Sequence, residues 1–395
     1  ENSLSLSVRK QMIADVDIGA FLSGGIDSSL IVALMQKHSI RKINTFTLGF
    51  NANFYNEAPY AKEISKHLGT NHNEYYVQNS DIENTLVEIS RIYDEPFADS
   101  SQIPSYIISK LASKSVKVAL TGEGGDELFG GYPKYLYGAR QMNIFSKLPY
   151  LARKKLGFSF NSKLKLIDKY TQIISHLPIS IRSPVFRFLG RAIRLSDRLI
   201  SVKTIEDLNV DMSRIWTQND MLIHQNIISN LWKIDSTLIN KLSNEERMML
   251  NDLQLFLIDD LICKMDRASM ANSLEVRMPF LDPHVVNIAL STPLDLKLKS
   301  NKTKIMSKLI LNKYLPDKFI ELPKKGFSIP VSNLLRGVLR EKVIALIDSN
   351  NMNIIEQYIP KNEIKKICDQ HLKGHYDWTN KIWTLLIFAI YIVRQ

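Results

Sequence analysis

From Asp17 to Thr121, short apolar strand patterns take turns with helix patterns, an order that few architectures accommodate. Asp17–Leu22, Lys42–Gly49, Asn73–Val77 and Val116–Thr121 read as strands. Ser28–Lys37, Glu57–Leu68, Asp81–Tyr93 and Pro104–Lys114 read as helices. Such alternation predicts an α/β fold built on a doubly wound, Rossmann-like parallel sheet. In these sheets ligands bind beyond the carboxyl ends of the strands, where the strand order reverses. Both Gly-rich stretches, Ser23–Gly25 and Gly122–Gly131, directly follow strands and are expected on that one edge.

Beyond Tyr132 strand patterns fade and a largely helical C-terminal region follows. The reading divides the chain into an α/β core over 1–140, a basic helical region over 141–250, and a helical part over 251–395 that completes the site. Asn251–Ser273 reads as one long helix, followed by an apolar turn at Met278–Pro283. Further helices are expected at Thr303–Tyr314, Val331–Ser349, Lys361–Lys373 and Trp378–Val393.

With 395 residues, 45% of them hydrophobic and 23% charged, the chain can bury a full core without disulfides or a structural metal. Its apolar runs are too short for a membrane span. Cys263 and Cys368 are far apart and form no zinc-type spacing, which fits a cytoplasmic protein. Opening on Glu1, without Met or a signal-type segment, the sequence reads as part of something longer. The net charge of +11 has one source: Gln141–Thr204 holds thirteen Lys and Arg against Asp168 and Asp197. This block is expected to be a solvated surface and not a nucleic-acid site.

The loop Ser23-Gly24-Gly25-Ile26-Asp27-Ser28-Ser29 carries the sharpest chemistry. Two glycines let backbone N–H groups approach a ligand, the serines can donate to phosphate oxygens, and the following helix adds its positive end. Asp27 would repel a phosphate unless a divalent cation lies between them. No Walker A lysine closes the loop, which suggests that pyrophosphate leaves as a unit. A second loop, Thr121–Tyr132, packs five glycines and three acids into twelve residues. There Asp126 can supply a second carboxylate to the cation that Asp27 holds. Asp94–Ser101 reads equally well as a turn with a helix cap. Asp260, Lys264 and Arg267 share one helix face, and Pro323–Pro330 reads as a loop presenting a cation.

SGGIDSS resembles the PP-loop of the ATP pyrophosphatases, which activate a substrate oxygen as its adenylate. Together with GEGGDELFGGY, the Asp259–Asp282 segment and PKKGFSIP, it resembles the synthetase domain of the glutamine-dependent asparagine synthetases. The likeness covers nearly the whole chain and is weak over 141–251. It implies a carbon–nitrogen ligase that adenylates the side-chain carboxylate of aspartate with ATP and Mg²⁺. Ammonia then displaces AMP to give asparagine. Related amidotransferases acting on other carboxylates, as in surface-polysaccharide synthesis, and tRNA-modifying adenylating enzymes remain alternatives.

The resemblance also implies residue roles. Leu22 and Leu48 would contact the nucleotide; Ser23, Gly24, Gly25, Asp27 and Ser28 would form the loop that receives pyrophosphate; Thr121 and Gly122 would hold the AMP part. Asp27 and Asp126 would be the metal ligands. Glu123 would be the acid needed for adenylate formation and ammonia attack, and Lys324 the cation that stabilises the transition state. No role follows for Asp266, Arg267, Glu275 or Arg277. Family members carry a glutaminase domain upstream, so one is expected fused to this chain in the full-length protein. Neither a nucleic acid nor a membrane is expected as a partner, and a homodimer is left open.

Overall fold

A computed structural model of the protein describes residues 1–50, 56–168, 179–216, 239–321, 329–348 and 352–394. These divide into two compact units. One comprises Glu1–Pro133 and Asp252–Pro330; the other comprises Lys134–Asn251 and Val331–Val393.

The first unit is built on five parallel strands: β1 (Ile18–Phe21), β2 (Asn44–Gly49), β3 (Asn71–Tyr76), β4 (Val118–Leu120) and β5 (Glu275–Arg277). Their order is β3-β2-β1-β4-β5. Phe21 lies opposite Phe46, Ala20 opposite Leu120, and Ala119 opposite Val276. The order runs one way from β1 through β3 and the other way from β4, so the reversal falls between β1 and β4. Helices α1 (Asn2–Gln11), α2 (Ile26–His38), α3 (Ala58–Leu68), α4 (Asn79–Ile92), α5 (Gln102–Ala112) and α6 (Gly125–Phe129) belong to the same unit. The central strands are buried, and α2 presents a nearly continuous apolar run, Leu30 to Met35, to the core. A helix buried on most sides needs no amphipathic stripe, which is why its pattern reads as a solid block. Ala20, Leu22, Leu34, Leu120, Leu128 and Phe280 are part of one core beneath the strand ends.

Strands β1 to β4 follow the sequence reading within two residues. β5 was not expected, and the helix expected over Asn251–Ser273 is interrupted. An α-helix ends at Gln254, a π-helical stretch covers Phe256–Ile262, and α-helix resumes over Cys263–Met270. Apolar periodicity does not report the wider turn, and such turns are frequent at functional sites. The helix expected at Val331–Ser349 is two, Val331–Arg336 and Arg340–Asp348, separated at Gly337.

The second unit is helical. Its longest elements, Tyr150–Asp168 and Ile179–Ser201, pack against each other: a Cβ at Gly157 would lie 3.0 Å from Leu199 Cβ and from the Ser196 carbonyl oxygen. Part of the basic block serves this packing. Arg153 is 3% exposed, with its guanidinium 4.8 Å from the Phe145 ring centre and 5.5 Å from that of Tyr150. Arg198 pairs with Asp211 at 2.6 Å. Lys155, Lys163, Arg191, Arg194 and Lys203 are exposed, as a solvated face requires. No helix among the described residues is long and apolar enough to cross a membrane.

Candidate active site

The turn after β1 is held by its own serines. Ser23 Oγ and Ser28 Oγ bond each other at 3.0 Å, the Gly25 N–H donates to Ser23 Oγ at 3.2 Å, and Ser28 Oγ donates to the Gly25 carbonyl at 3.2 Å. Gly24 sits at φ 84°, where a side chain would be strained. Gly25 caps α2 without a side-chain bond, which leaves the helix's first N–H groups and its positive end available to an anion. Asp27 lies in that first turn and is 8% exposed.

The loop after β4 closes against this turn. A Cβ on Gly122 would lie 2.8 Å from the Ser28 nitrogen, and one on Gly125 would lie 2.6 Å from Asp27 Cγ. On Gly131 it would overlap Asp126 Oδ1 and Lys304 Cε. Three of the five glycines therefore let one backbone pass directly over the Asp27–Asp126 pair. Gly124 at φ 87° and Gly130 at φ 69° turn the chain into and out of α6. Gly-rich composition here reflects close approach rather than looseness.

Lys304, which belongs to none of the motifs read above, joins the two carboxylates. Its ammonium bonds Asp27 Oδ2 and lies 2.6 Å from Asp126 Oδ1. Burial disfavours the charged lysine, but Asp27 and Asp126 outweigh it and hold its pKa above the ordinary value. In sequence, Lys304 is one of five lysines between 297 and 308 and looks like part of an exposed charge run.

Further acids line the loop. Glu127 is fully buried and accepts the Tyr132 hydroxyl at 2.5 Å. Burial pushes its pKa up to about 8, with Asp126 and Glu123 adding to the rise and Tyr132 opposing it. Glu123 is half-buried in the turn before α6. Its charge also reaches Lys264, which bonds Asp99 at 2.6 Å and lies 3.7 Å from Asp260. Burial works against the Lys264 ammonium, yet Asp99, Glu123 and Asp260 keep it firmly protonated. Burial and the neighbouring Asp99 raise Asp260, whereas Lys264 and the Ser101 donors hold Asp99 low against burial. Asp94–Ser101 thus forms the expected turn, since Asp99 accepts from Ser101 N at 2.9 Å, and also adds a buried ion pair.

Other expected residues are spread more widely. Leu22 is 1% exposed in the core, its N–H donating to Phe46 O and its carbonyl accepting from Thr47. Leu48 is buried at the end of β2, and the Thr121 N–H bonds Arg277 O. Arg267 leaves the face it shares with Lys264 and pairs with Asp94 at 2.5 Å. Arg277 ties down the end of α1 through Gln11 O and Ile13 O, and its partner Glu275 is exposed. Asp266 is exposed. Lys324 lies outside the described residues. Among the described residues no group of three or more His, Cys, Asp or Glu forms a metal cage.

Comparisons with known proteins bear on the family to which the chain belongs. The family model described as asparagine synthase matches residues 1–393. The chain is 31% identical over 385 residues to glutamine-hydrolyzing asparagine synthetase 1 of Bacillus subtilis, covering 98% of this chain and 57% of that protein. It is 24% identical over 345 residues to asparagine synthetase 3 of the same organism, covering 81% and 46%. To asparagine synthetase 3 of Arabidopsis thaliana it is 33% identical over 145 residues, covering 33% and 24%. The chain spans 57% of the length of the first of these relatives. With the family model extending over almost every residue, and two Gly-rich loops meeting at the sheet's switch point, the chain belongs to the asparagine synthase family.

Proposed function

We propose that this chain is an ATP-dependent amide synthetase that converts aspartate and ammonia to asparagine, releasing AMP and pyrophosphate. The observation that carries this reading is the meeting of Asp27 and Asp126 on one buried cation, beneath two glycine loops at the reversal of strand order. Such a crevice is where α/β sheets take nucleotides.

Asp27 and Asp126 would hold Mg²⁺. Two carboxylates suffice when substrate phosphates supply further oxygens, and the cradle formed by Gly122, Gly125 and Gly131 keeps side chains out of the way. When bound, the metal neutralises charge on the phosphates as a Lewis acid.

In this reading the Ser23–Ser28 turn and the uncapped start of α2 receive the leaving pyrophosphate. The two serines exchange their mutual bond for phosphate oxygens. Thr121 and Gly122 bind the AMP part. Leu22 and Leu48, both buried, fix the strand ends beneath it. The aspartate side-chain carboxylate attacks the α-phosphorus and pyrophosphate departs. Ammonia then attacks the acyl carbon and AMP departs with the carboxylate oxygen. Ammonium must shed a proton first, and Glu123 takes it. Lys324 contributes fixed positive charge as negative charge builds on phosphorus.

The relatives' names specify glutamine hydrolysis. The reading assigns that step to a glutaminase domain in the part of those proteins outside the match, and ammonia as the nitrogen donor to this chain. Pyrophosphate release from ATP, followed across carboxylate acceptors with ammonia supplied, tests the substrate. Aspartate is expected to give the highest kcat/KM, and equal rates with unrelated carboxylates would reject it.

A further inference from the structure

Lys304 has no part in the reaction as written above, yet it sits at the centre of the site. Its side chain retains 6% of its accessible surface, against 11% for Asp27 and 17% for Asp126. An ammonium with three donors lets two carboxylates share a dry cleft where they would otherwise repel.

The surrounding chain is built to deliver this lysine. Lys304 holds φ 54°, a backbone conformation that disfavours any residue with a Cβ and persists where neighbouring structure enforces it. The preceding turn is closed by reciprocal backbone bonds between Lys299 and Lys302, at 3.0 and 2.9 Å, with Ser300 at φ 58°. The Ile305 N–H then bonds Lys297 O at 3.0 Å and fixes the start of the next helix. Gly131 leaves room for the Lys304 stem beside Asp126. A strained residue, a locked turn and a glycine all serve one contact.

We propose that Lys304 is a tethered cation that holds Asp27 and Asp126 together in the ligand-free protein and yields them to the divalent metal only when nucleotide enters. The inference rests on the reading of those two aspartates as metal ligands. An ammonium and a metal ion compete for the same carboxylate oxygens. Without nucleotide, an incoming ion would have to evict Lys304 and would gain little beyond two carboxylates and water. With nucleotide, the phosphates supply the missing metal ligands and give the displaced ammonium a new anionic partner. Metal and nucleotide binding are thereby coupled, and each strengthens the other.

The test is Mn²⁺ binding to the full chain, read by water-proton relaxation with and without α,β-methylene-ATP. The wild type is expected to show no saturable Mn²⁺ binding alone and clear binding with the nucleotide analogue. Lys304→Met is expected to bind one Mn²⁺ saturably without nucleotide, roughly ten-fold or more tightly than the upper limit that the wild type's non-saturable signal sets. Adding Asp126→Asn to that variant should remove the gain. Nucleotide-free binding by the wild type that matches Lys304→Met would overturn the tethered-cation role, as would a folded Lys304→Met that gains nothing. If Lys304→Met does not fold, the wild type alone decides: saturable nucleotide-free binding as tight as that seen with the analogue overturns the role. Mn²⁺ that fails to bind even with the analogue, or binds Asp27→Asn and Asp126→Asn equally well, would instead reject the carboxylate assignment itself.

Discussion

Lys264 Nζ lies 2.6 Å from Asp99 Oδ2, although the two residues are 165 positions apart. The contact joins the turn before α5 to the helix that resumes after the π-helical stretch, and Asp260 from that stretch lies 3.7 Å from the same nitrogen. Lys264→Met would leave two acids side by side in a largely buried place. Removing one partner of a buried pair strands the other charge, so a loss of about 3 kcal/mol is expected in urea unfolding. Adding Asp99→Asn should recover part of that loss. A cost below about 1 kcal/mol would mean that water screens the cluster.

Asp27→Asn and Asp126→Asn should each lower pyrophosphate release by at least about 100-fold, because either change leaves the leaving group under-neutralised. Near-normal turnover in either variant would reject the assignment. Each variant should retain a cooperative unfolding transition, since the fold's core lies beneath the loops.

Gly131→Ala tests close approach directly. A Cβ there would overlap Asp126 Oδ1 and Lys304 Cε, so both groups must shift. Pyrophosphate release should fall by about 100-fold, as misplacement near an ångström commonly costs. Gly69→Ala is the control. Its φ of 75° carries strain, but a Cβ there meets nothing within 4 Å. It should cost about 1 kcal/mol of stability and leave turnover unchanged.

The α/β half was legible because β1 and β4 are short buried apolar runs, strand and helix patterns alternate around them, and a glycine loop follows each of the two. β5 was not. Glu275-Val276-Arg277 is three residues long, with one apolar side chain between two charges, and nothing local separates it from its helical surroundings. Its strand state comes from pairing with β4. The π-helical stretch escaped for a related reason: Leu257 and Leu261 keep a helical spacing while the backbone widens. Asp27 and Asp126 were legible as a pair because each sits in a motif whose chemistry calls for a carboxylate. Lys304 was not, because its meaning lies in a contact 277 positions away. The fold set the role of Arg277 in the same way, turning an apparent motif residue into a tie for the end of α1.

His371 gives the protein an acid-sensitive element in its second unit. It is fully buried, and its Nδ1 accepts the Trp378 N–H at 3.2 Å. Burial first, then the Arg336 guanidinium, lower its pKa to about 4 from an ordinary 6.5. Between those values the unfolded chain takes up a proton that the folded protein refuses. Stability should therefore be intact above pH 6.5 and fall as the pH drops toward 4, by up to about 3 kcal/mol. His371→Gln should flatten that slope in urea titrations at pH 7, 5.5 and 4.5. An unchanged slope would show that other groups carry the acid sensitivity.

The most direct measurement of the central claim follows one oxygen. Aspartate labelled with ¹⁸O in its side-chain carboxylate is incubated with the chain, ATP, Mg²⁺ and ammonia, and the nucleotide product is examined by mass spectrometry. Attack of that carboxylate on the α-phosphorus, followed by ammonia at the acyl carbon, must leave one labelled oxygen in AMP. The account predicts AMP carrying a single ¹⁸O in step with asparagine formed. Label in inorganic phosphate with ADP as the product, or AMP free of label, would contradict it.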